Sequence, residues 1–172
     1  YRQMREDAIA LAGWLQKAGV EAGDRVAVFM QNCPQFPVAL YAILRANAVV
    51  VPVNPMNRAE EFKHYISDPG TKVVICSADL AAIVEAANAA LPEGERVRAI
   101  VATRYVDAMP AGAIAEADAP PAAMDAWLRA DPPLPAGGTR WTEALAQRLQ
   151  PGPHQAKADD VYGSSARSSA FA

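Results

Sequence analysis

The fold of this chain is decided by residues 19–57, GVEAGDRVAVFMQNCPQFPVALYAILRANAVVVPVNPMN. Within this stretch, residues 25–30 and 49–53 predict strands, with continuous apolar runs at residues 26–30 and 49–51. Such runs are typical of strands that are covered on both faces in a parallel sheet. Between them, Asn32 and Pro34 predict the N-cap and first turn of a helix, whose apolar residues recur at three- and four-residue spacing. The stretch therefore predicts one strand–helix–strand unit.

The same alternation extends on both sides of this unit. Residues 2–18 carry one apolar stripe at helical spacing. Residues 72–76 and 97–102 predict two further strands, with apolar runs at residues 73–76 and 99–102, and Asn57 and Ser77 stand where helix N-caps are expected. Strands that alternate with helices over short connections indicate an α/β fold. We predict a parallel, doubly wound sheet of the flavodoxin or Rossmann type, with helices on both faces.

The chain divides into three regions by composition. Residues 1–102 hold the α/β sheet subdomain. Residues 103–150 are rich in proline and predict an excursion with short helices and no strand, anchored to the sheet by Trp127 and Trp141. Residues 151–172 are small, polar or glycine- and proline-containing, and predict a linker and a disordered tail.

Composition excludes several classes of protein. Apolar residues make up 52% and charged residues 20% of the 172 residues, which is typical of a globular protein. The net charge of −3, without a basic cluster, argues against nucleic acid as a partner. The sequence holds neither a signal-peptide pattern nor an apolar run of the ~20 residues that a membrane span needs. We therefore predict a cytoplasmic protein, in which Cys33 and Cys76 are buried thiols rather than a disulfide or zinc ligands.

The sequence contains none of the common catalytic or nucleotide-binding motifs. GxxxxGK[ST], GxGxxG, HExxH, GxSxG and CxxC are all absent. Ser67 and Ser77 lie at predicted helix ends, where capping or exposure to solvent is expected. His64 follows Glu60 by four residues and predicts an exposed pair on one helix face. His154 has no acidic or thiol residue near it in sequence.

The carboxylates do not form a pattern suited to acid–base chemistry. Asp24 and Arg25 stand at a turn and the start of a strand, and Glu60 and Glu61 lie in a first helical turn, where the helix dipole favours them. Residues 159–160 are both aspartate and lie near the end of the sequence. We therefore predict no catalytic residue and no metal ligand in this chain, and the residues that would bind a cofactor remain unknown.

Four segments resemble the adenylate-forming (AMP-binding) enzymes, and the acyl-CoA synthetases in particular. Residues 1–4 look like the remnant of that family's first core motif, and residues 44–54, LRANAVVVPVN, are similar to its second. Asn47 stands where the family usually has glycine, and asparagine also accepts the left-handed backbone conformation. Residues 72–75 resemble the next strand, and the WTEAL of residues 141–145 extends the likeness weakly into the excursion. The Asn-Cys-Pro-Gln-Phe turn and this excursion most resemble long-chain fatty-acid–CoA ligases.

The resemblance implies a function for a longer protein. Such enzymes use Mg-ATP to convert a carboxylate, here a fatty acid, into an acyl-adenylate, and then transfer the acyl group to coenzyme A. Their Ser/Thr/Gly-rich phosphate loop should follow shortly after residues 157–161 and is not found in this chain. We therefore expect the chain to be part of the N-terminal domain of the adenylate-forming fold, inactive alone and prone to self-association through apolar surface. A freestanding flavodoxin-like binding or regulatory module and an oligomerisation domain are the alternatives. Which carboxylic acid is activated stays open.

Overall fold

The computed structural model describes residues 1–109, 119–155 and 157. Helices and strands alternate along the chain from its first residues. Their bounds are α1 Arg2–Lys17, β1 Arg25–Phe29, α2 Gln35–Arg45, β2 Val49–Pro52, α3 Ala59–Ser67, β3 Thr71–Ser77, α4 Ala81–Ala89, β4 Ala99–Thr103, α5 Ala122–Leu128, β5 Gly138–Arg140 and α6 Trp141–Ala146. This alternation confirms the α/β fold that the apolar runs predict.

The five strands form one parallel sheet in the order β2-β1-β3-β4-β5. Val26 of β1 pairs with Val50 on one side and with Val73 on the other. The prediction of no strand within residues 103–150 is wrong, because β5 pairs with β4 there. The three residues of β5 include a glycine and an arginine and form no apolar run, so only their pairing with β4 identifies them as a strand.

Helices cover both faces of the sheet, as predicted. On one face, α1, α2 and α6 pack against alternate strand residues such as Val26, Val28 and Ile75. On the other face, α3 and α4 pack against the intervening residues, such as Phe29 and Cys76. Strand side chains point to opposite faces in turn, so a strand between two helical layers must be apolar at every position. The sheet is therefore doubly wound, with one hydrophobic core on each face.

Three predicted helix caps are corrected by the structure. The N-cap of α2 is Pro34 rather than Asn32. The N-cap of α3 is Arg58 rather than Asn57, and its N–H donates to a Glu61 carboxylate oxygen at 2.8 Å. Ser77 precedes a 3₁₀ turn and makes no capping bond. In each case the residue type suits a cap, but the turn that precedes the helix has a different length.

The end of the described chain is attached to the body of the fold. Trp141 is buried, as predicted, whereas Trp127 is 43% exposed. Residues 152–155 make side-chain-to-main-chain hydrogen bonds with α1 and with the end of α2. These bonds differ from the prediction of a disordered segment from Pro151 onward. Residues 158–172 lie outside the described residues, and the division into three regions stays a prediction.

A candidate functional site at the carboxyl edge of the sheet

The carboxyl ends of the strands meet along one edge of the sheet. β1 ends at Phe29, β3 at Ser77 and β4 at Thr103. The chain leaves β1 toward α2 on one face, and leaves β3 toward α4 on the other. In open parallel sheets, ligands bind outside the carboxyl ends of strands at such a reversal of strand order. By this rule, the loops after β1 and β3, residues 30–34 and 78–80, flank the candidate place for a ligand.

Buried polar atoms without a hydrogen-bond partner collect at this edge. Within the described part of the chain these atoms are Gln35 Oε1, Ser77 Oγ, Tyr105 OH and Arg140 Nη1, and we name the four residues the carboxyl-edge cluster. Ser77 is 0% exposed and Gln35 is 3% exposed. Buried polar groups are normally paired, because desolvation without a partner costs free energy. The cluster thus has unused hydrogen-bonding capacity.

The opposite edge of the sheet behaves differently. Thr71, at the amino end of β3, is 2% exposed and donates to the Tyr65 carbonyl at 2.6 Å. The Arg25 guanidinium there donates to the carbonyls of Pro69, Gly23 and Gly70. The buried polar side chains of the amino edge are therefore satisfied, and the unused capacity is specific to the carboxyl edge.

Gln35 and Tyr105 connect α2 to the segment after β4. Gln35 Nε2 donates to the Arg104 carbonyl at 2.9 Å, so its amide is oriented while Oε1 remains unpaired. Burial raises the pKa of Tyr105 above its usual 10.0, although the nearby Ser77 hydroxyl opposes this, so the phenol is neutral at pH 7. Neither Ser77 nor the backbone of Gln31 makes a well-formed hydrogen bond with that phenol. The Tyr105 ring lies 4.4 Å from the Trp127 ring.

Arg140 of the cluster and the neighbouring Arg104 are both paired with carboxylates. Arg104 Nη2 and Nε contact Asp107 Oδ1 at 2.8 and 3.0 Å, and the Arg104 N–H donates to Oδ2 at 2.9 Å. Asp131 accepts from Arg104 at 3.3 Å and from Arg140 at 2.8 Å. The hydrogen bond that Arg104 donates to Asp107 raises the pKa of Arg104 further. These pairs hold the segment after β4 against β5, and they leave Arg140 Nη1 as the unpaired donor.

The two cysteines are protonated at neutral pH. Burial raises the pKa of Cys76 to about 12 and also raises that of Cys33. Cys76 is 0% exposed, whereas Cys33 is partly exposed, with its Sγ 3.7 Å from Met30 Sδ. A thiol must ionise to act as a nucleophile. The prediction of a buried thiol is confirmed for Cys76, whereas Cys33 is only partly buried.

The other residues considered from the sequence lie away from the carboxyl-edge cluster. An Asp24 oxygen accepts the Glu21 N–H at 3.0 Å, which confirms its role in a turn. Ser67 lies at the end of α3 and donates to the Lys63 carbonyl at 3.2 Å. The predicted pair of Glu60 with His64 is wrong, because Glu60 instead pairs with Lys63 at 3.0 Å. Residues 159–160 lie outside the described residues.

His154 and Ser77 lie in surroundings that the sequence analysis did not identify. His154 borders an apolar groove of about 500 Å³ that is lined by Met4, Ala8, Ile9 and Tyr41. Ser77 was expected at a helix end with its side chain as a cap or in solvent, which is wrong because it is fully buried. Its position directly after an apolar strand was the available signal. Within the described ranges, no three His, Cys, Asp or Glu side chains could hold a metal ion together.

The comparison with protein families matches nearly the whole chain. The family model described as AMP-binding enzyme matches residues 1–163. The matched range includes the whole five-stranded sheet and residues 44–54. The chain therefore belongs to the AMP-binding enzyme family.

Two individual proteins that resemble this chain are both named long-chain-fatty-acid–CoA ligase. The chain is 37% identical over 108 residues to a long-chain-fatty-acid–CoA ligase of Salmonella typhimurium, which is 62% of this chain and 18% of that protein. It is 38% identical over 89 residues to the long-chain-fatty-acid–CoA ligase FadD13 of Mycobacterium tuberculosis, which is 52% of this chain and 18% of that protein. The chain thus corresponds to less than a fifth of the length of either relative.

Solved structures agree with the fold. A benzoate CoA ligase from Burkholderia xenovorans superimposes with a TM-score of 0.68 over 95% of this chain and 26% of its own, at 17% identity. A fatty acyl CoA synthetase from Mycobacterium tuberculosis superimposes with a TM-score of 0.54 over 59% of this chain and 20% of its own, at 34% identity. The first likeness supports the fold alone, whereas the second extends to sequence.

Proposed function

We propose that this chain is the N-terminal part of an ATP-dependent fatty-acid–CoA ligase. The full-length enzyme would activate a fatty acid with Mg-ATP to an acyl-adenylate and pyrophosphate, and then transfer the acyl group to coenzyme A. The observation that carries the proposal is the 37% identity over 108 residues to a long-chain-fatty-acid–CoA ligase, within a family match over residues 1–163. Structural likeness to a fatty acyl CoA synthetase at 34% identity supports the same substrate class.

We propose that the residues described here do not bind Mg-ATP by themselves. Asp107 and Asp131 engage the two arginines of the carboxyl edge, Arg104 and Arg140, and leave only Arg140 Nη1 without a partner. The described residues also lack a set of metal ligands, and the sequence lacks a glycine-rich phosphate loop. We therefore assign the binding of ATP, and the chemical steps, to parts of the full-length protein beyond these residues.

The test uses the full-length protein that contains this chain. We expect fatty acids to support exchange of labelled pyrophosphate into ATP, and to support thioester formation when coenzyme A is added. Saturated fatty acids of increasing length, with benzoate as the comparison acid, would define the substrate class. Exchange with benzoate and with none of the fatty acids would overturn the substrate assignment. The absence of exchange with every acid would overturn the ligase assignment and favour a binding module.

We propose that the 172-residue chain alone does not catalyse either step. The reason is the missing phosphate loop, because stabilisation of the transferring phosphoryl group depends on preorganised donors and positive charge. The same pyrophosphate exchange assay tests this directly. Fatty-acid-dependent exchange by the 172-residue chain above background would contradict the proposal.

We also propose that the isolated chain self-associates and that the full-length protein is cytoplasmic. The apolar groove beside His154 and the exposed Met56, Met124 and Trp127 offer surface that a partner could bury. No helix in the described ranges is long and apolar enough to cross a bilayer. Light scattering over a range of concentrations tests the association, and a monomer at the highest concentration would contradict it. Fractionation of cells that express the full-length protein tests the location.

A further inference from the structure

Residues 152–155, which form neither helix nor strand, are held against α1 and the end of α2 by side-chain hydrogen bonds. Gly152 N–H donates to Gln16 Oε1 at 2.8 Å, and the Gly152 carbonyl accepts from Arg45 Nη1 at 2.8 Å. The Pro153 carbonyl accepts from Asn47 Nδ2 at 3.1 Å, and Gln155 N–H donates to Asn47 Oδ1 at 2.7 Å. Four side-chain bonds therefore hold the segment 152–155 through the main chain of Gly152, Pro153 and Gln155.

Asn47 is the centre of this arrangement. Its φ of +65° is in the left-handed region, where glycine and asparagine are tolerated best. Its carbonyl accepts from Gly23 N–H at 2.8 Å, and its N–H donates to the Leu44 carbonyl at 3.0 Å. Glycine would suit this backbone conformation, but only the asparagine amide provides both a donor and an acceptor for the facing main chain. The residue type therefore does more than close the turn after α2.

Leu149, three residues before Gly152, lies unusually close to α1. Gly13 lies in α1 where the main chain of Leu149 passes, and a Cβ at Gly13 would meet the Leu149 carbonyl carbon and oxygen at 2.6 Å. The missing side chain allows the segment to lie directly on the helix. Residues 149–155 are thus placed by close packing at one end and by the bonds of Asn47 at the other.

We propose that Asn47, supported by Gln16 and Arg45, is a positioning residue for the chain that continues beyond Gln155. This inference rests on the proposed function, in which that continuation leads to the phosphate-handling part of a ligase. By fixing residues 152–155, the amide of Asn47 fixes the starting point of that continuation. Loss of the amide should weaken ATP binding without removing any group that contacts ATP.

The first test measures the contact itself in the 172-residue chain. Asn47→Gly keeps the backbone conformation and removes both side-chain bonds. We expect Gln155 N–H to exchange about fivefold faster by NMR, as expected for the loss of one hydrogen bond. Arg148→Gly is the matched control, because Arg148 also has a positive φ, of 46°. Unchanged exchange at Gln155 in Asn47→Gly, or equal acceleration in Arg148→Gly, would overturn the contact.

The second test measures pyrophosphate exchange by the full-length protein. We expect Asn47→Gly to raise the KM for ATP by about fivefold with a smaller change in kcat, which corresponds to one or two hydrogen bonds. A purely structural defect would instead reduce the active fraction, which lowers apparent kcat and leaves KM unchanged. Arg148→Gly should leave both constants at the wild-type values.

The outcomes separate this inference from the proposed function. An active wild-type ligase whose KM for ATP is unchanged in Asn47→Gly would overturn the positioning role and leave the ligase assignment standing. A wild-type protein without pyrophosphate exchange for any acid would overturn the ligase assignment, and with it the role in ATP binding. The hydrogen-exchange result would still decide whether Asn47 holds residues 152–155.

Discussion

Replacing the buried hydroxyl of Ser77 should stabilise the fold, although Ser77 lies in the core. Its Oγ has no hydrogen-bond partner in the described structure, and the residue is 0% exposed. An unpaired buried polar group costs about 1–3 kcal/mol, and loss of one packed atom offsets about 1 kcal/mol of the gain. We therefore expect Ser77→Ala to raise the free energy of unfolding by about 1 kcal/mol, or to leave it unchanged.

Thr71→Val is the matched control at the other end of the same strand. Thr71 is buried to the same degree but donates to the Tyr65 carbonyl at 2.6 Å, in the last turn of α3. Valine has nearly the same shape and cannot donate, so the carbonyl loses its partner. We expect a loss of about 1–2 kcal/mol. The two variants should therefore differ by about 1–3 kcal/mol, with Ser77→Ala the more stable.

Urea unfolding followed by circular dichroism would measure both variants against the parent chain. The comparison requires equal m-values, because a changed m-value signals a change in the folded or unfolded ensemble. A loss in Ser77→Ala as large as the loss in Thr71→Val would refute the reasoning. Such a result would mean that the Ser77 hydroxyl is paired, with the Tyr105 phenol as the nearest candidate. The double variant with Tyr105→Phe would then show a coupling between the two residues.

Three further predictions concern stability. Gly13→Ala should cost about 1–2 kcal/mol, because the clash of the new Cβ with the Leu149 main chain outweighs the better helix propensity of alanine. Gly94→Ala is the control and should be near neutral in the same urea assay, because a Cβ there meets nothing within 4 Å. Asp107→Ala should cost about 2 kcal/mol, because it removes a carboxylate that is 3% exposed and accepts from the Arg104 side chain and N–H. The melting temperature and the free energy of unfolding in urea should both fall. Unchanged values would contradict the role of this network. The raised pKa of Cys76 means that the folded state holds the thiol proton more tightly than the unfolded state does. The stabilising contribution of this proton is therefore complete below pH 9.0 and declines toward pH 12. Between about pH 8 and 10 the parent should lose more stability than Cys76→Ala, and parallel losses would contradict the pKa shift.

The α/β sheet was predictable because the central positions of β1 to β4 are apolar on both faces of the sheet. Residues 25–29 and 72–76 need no tertiary information to be identified, since few other structures bury both faces of a short segment. β5 was not predictable, because Gly138–Arg140 becomes a strand only through its pairing with β4. The helix caps failed for a related reason. Asn32 has suitable chemistry, but the length of the loop after β1 determines where α2 begins.

The candidate site was only partly within reach of sequence analysis. The sequence places Ser77 directly after an apolar strand, but its burial depends on how the segment containing Tyr105 folds over the sheet edge. Local spacing also misassigned the partner of Glu60, because Lys63 three residues away is a stronger cation than His64 four residues away. The left-handed conformation of Asn47 was predicted correctly from the family motif. Its hydrogen bonds to Pro153 and Gln155 join positions more than a hundred residues apart, and these bonds were not predicted.

The difference between the two edges of the sheet has a consequence for how this domain can change over evolutionary time. At the amino edge, Arg25 and Thr71 are committed to carbonyls, so nearly every replacement there removes a bond that the fold uses. At the carboxyl edge, Ser77 and Gln35 carry atoms that the fold does not use. We therefore expect folding to limit substitutions at the amino edge more strongly than substitutions of Ser77 and Gln35. A saturation library scored by protein abundance would show this as a lower tolerance at Arg25 and Thr71.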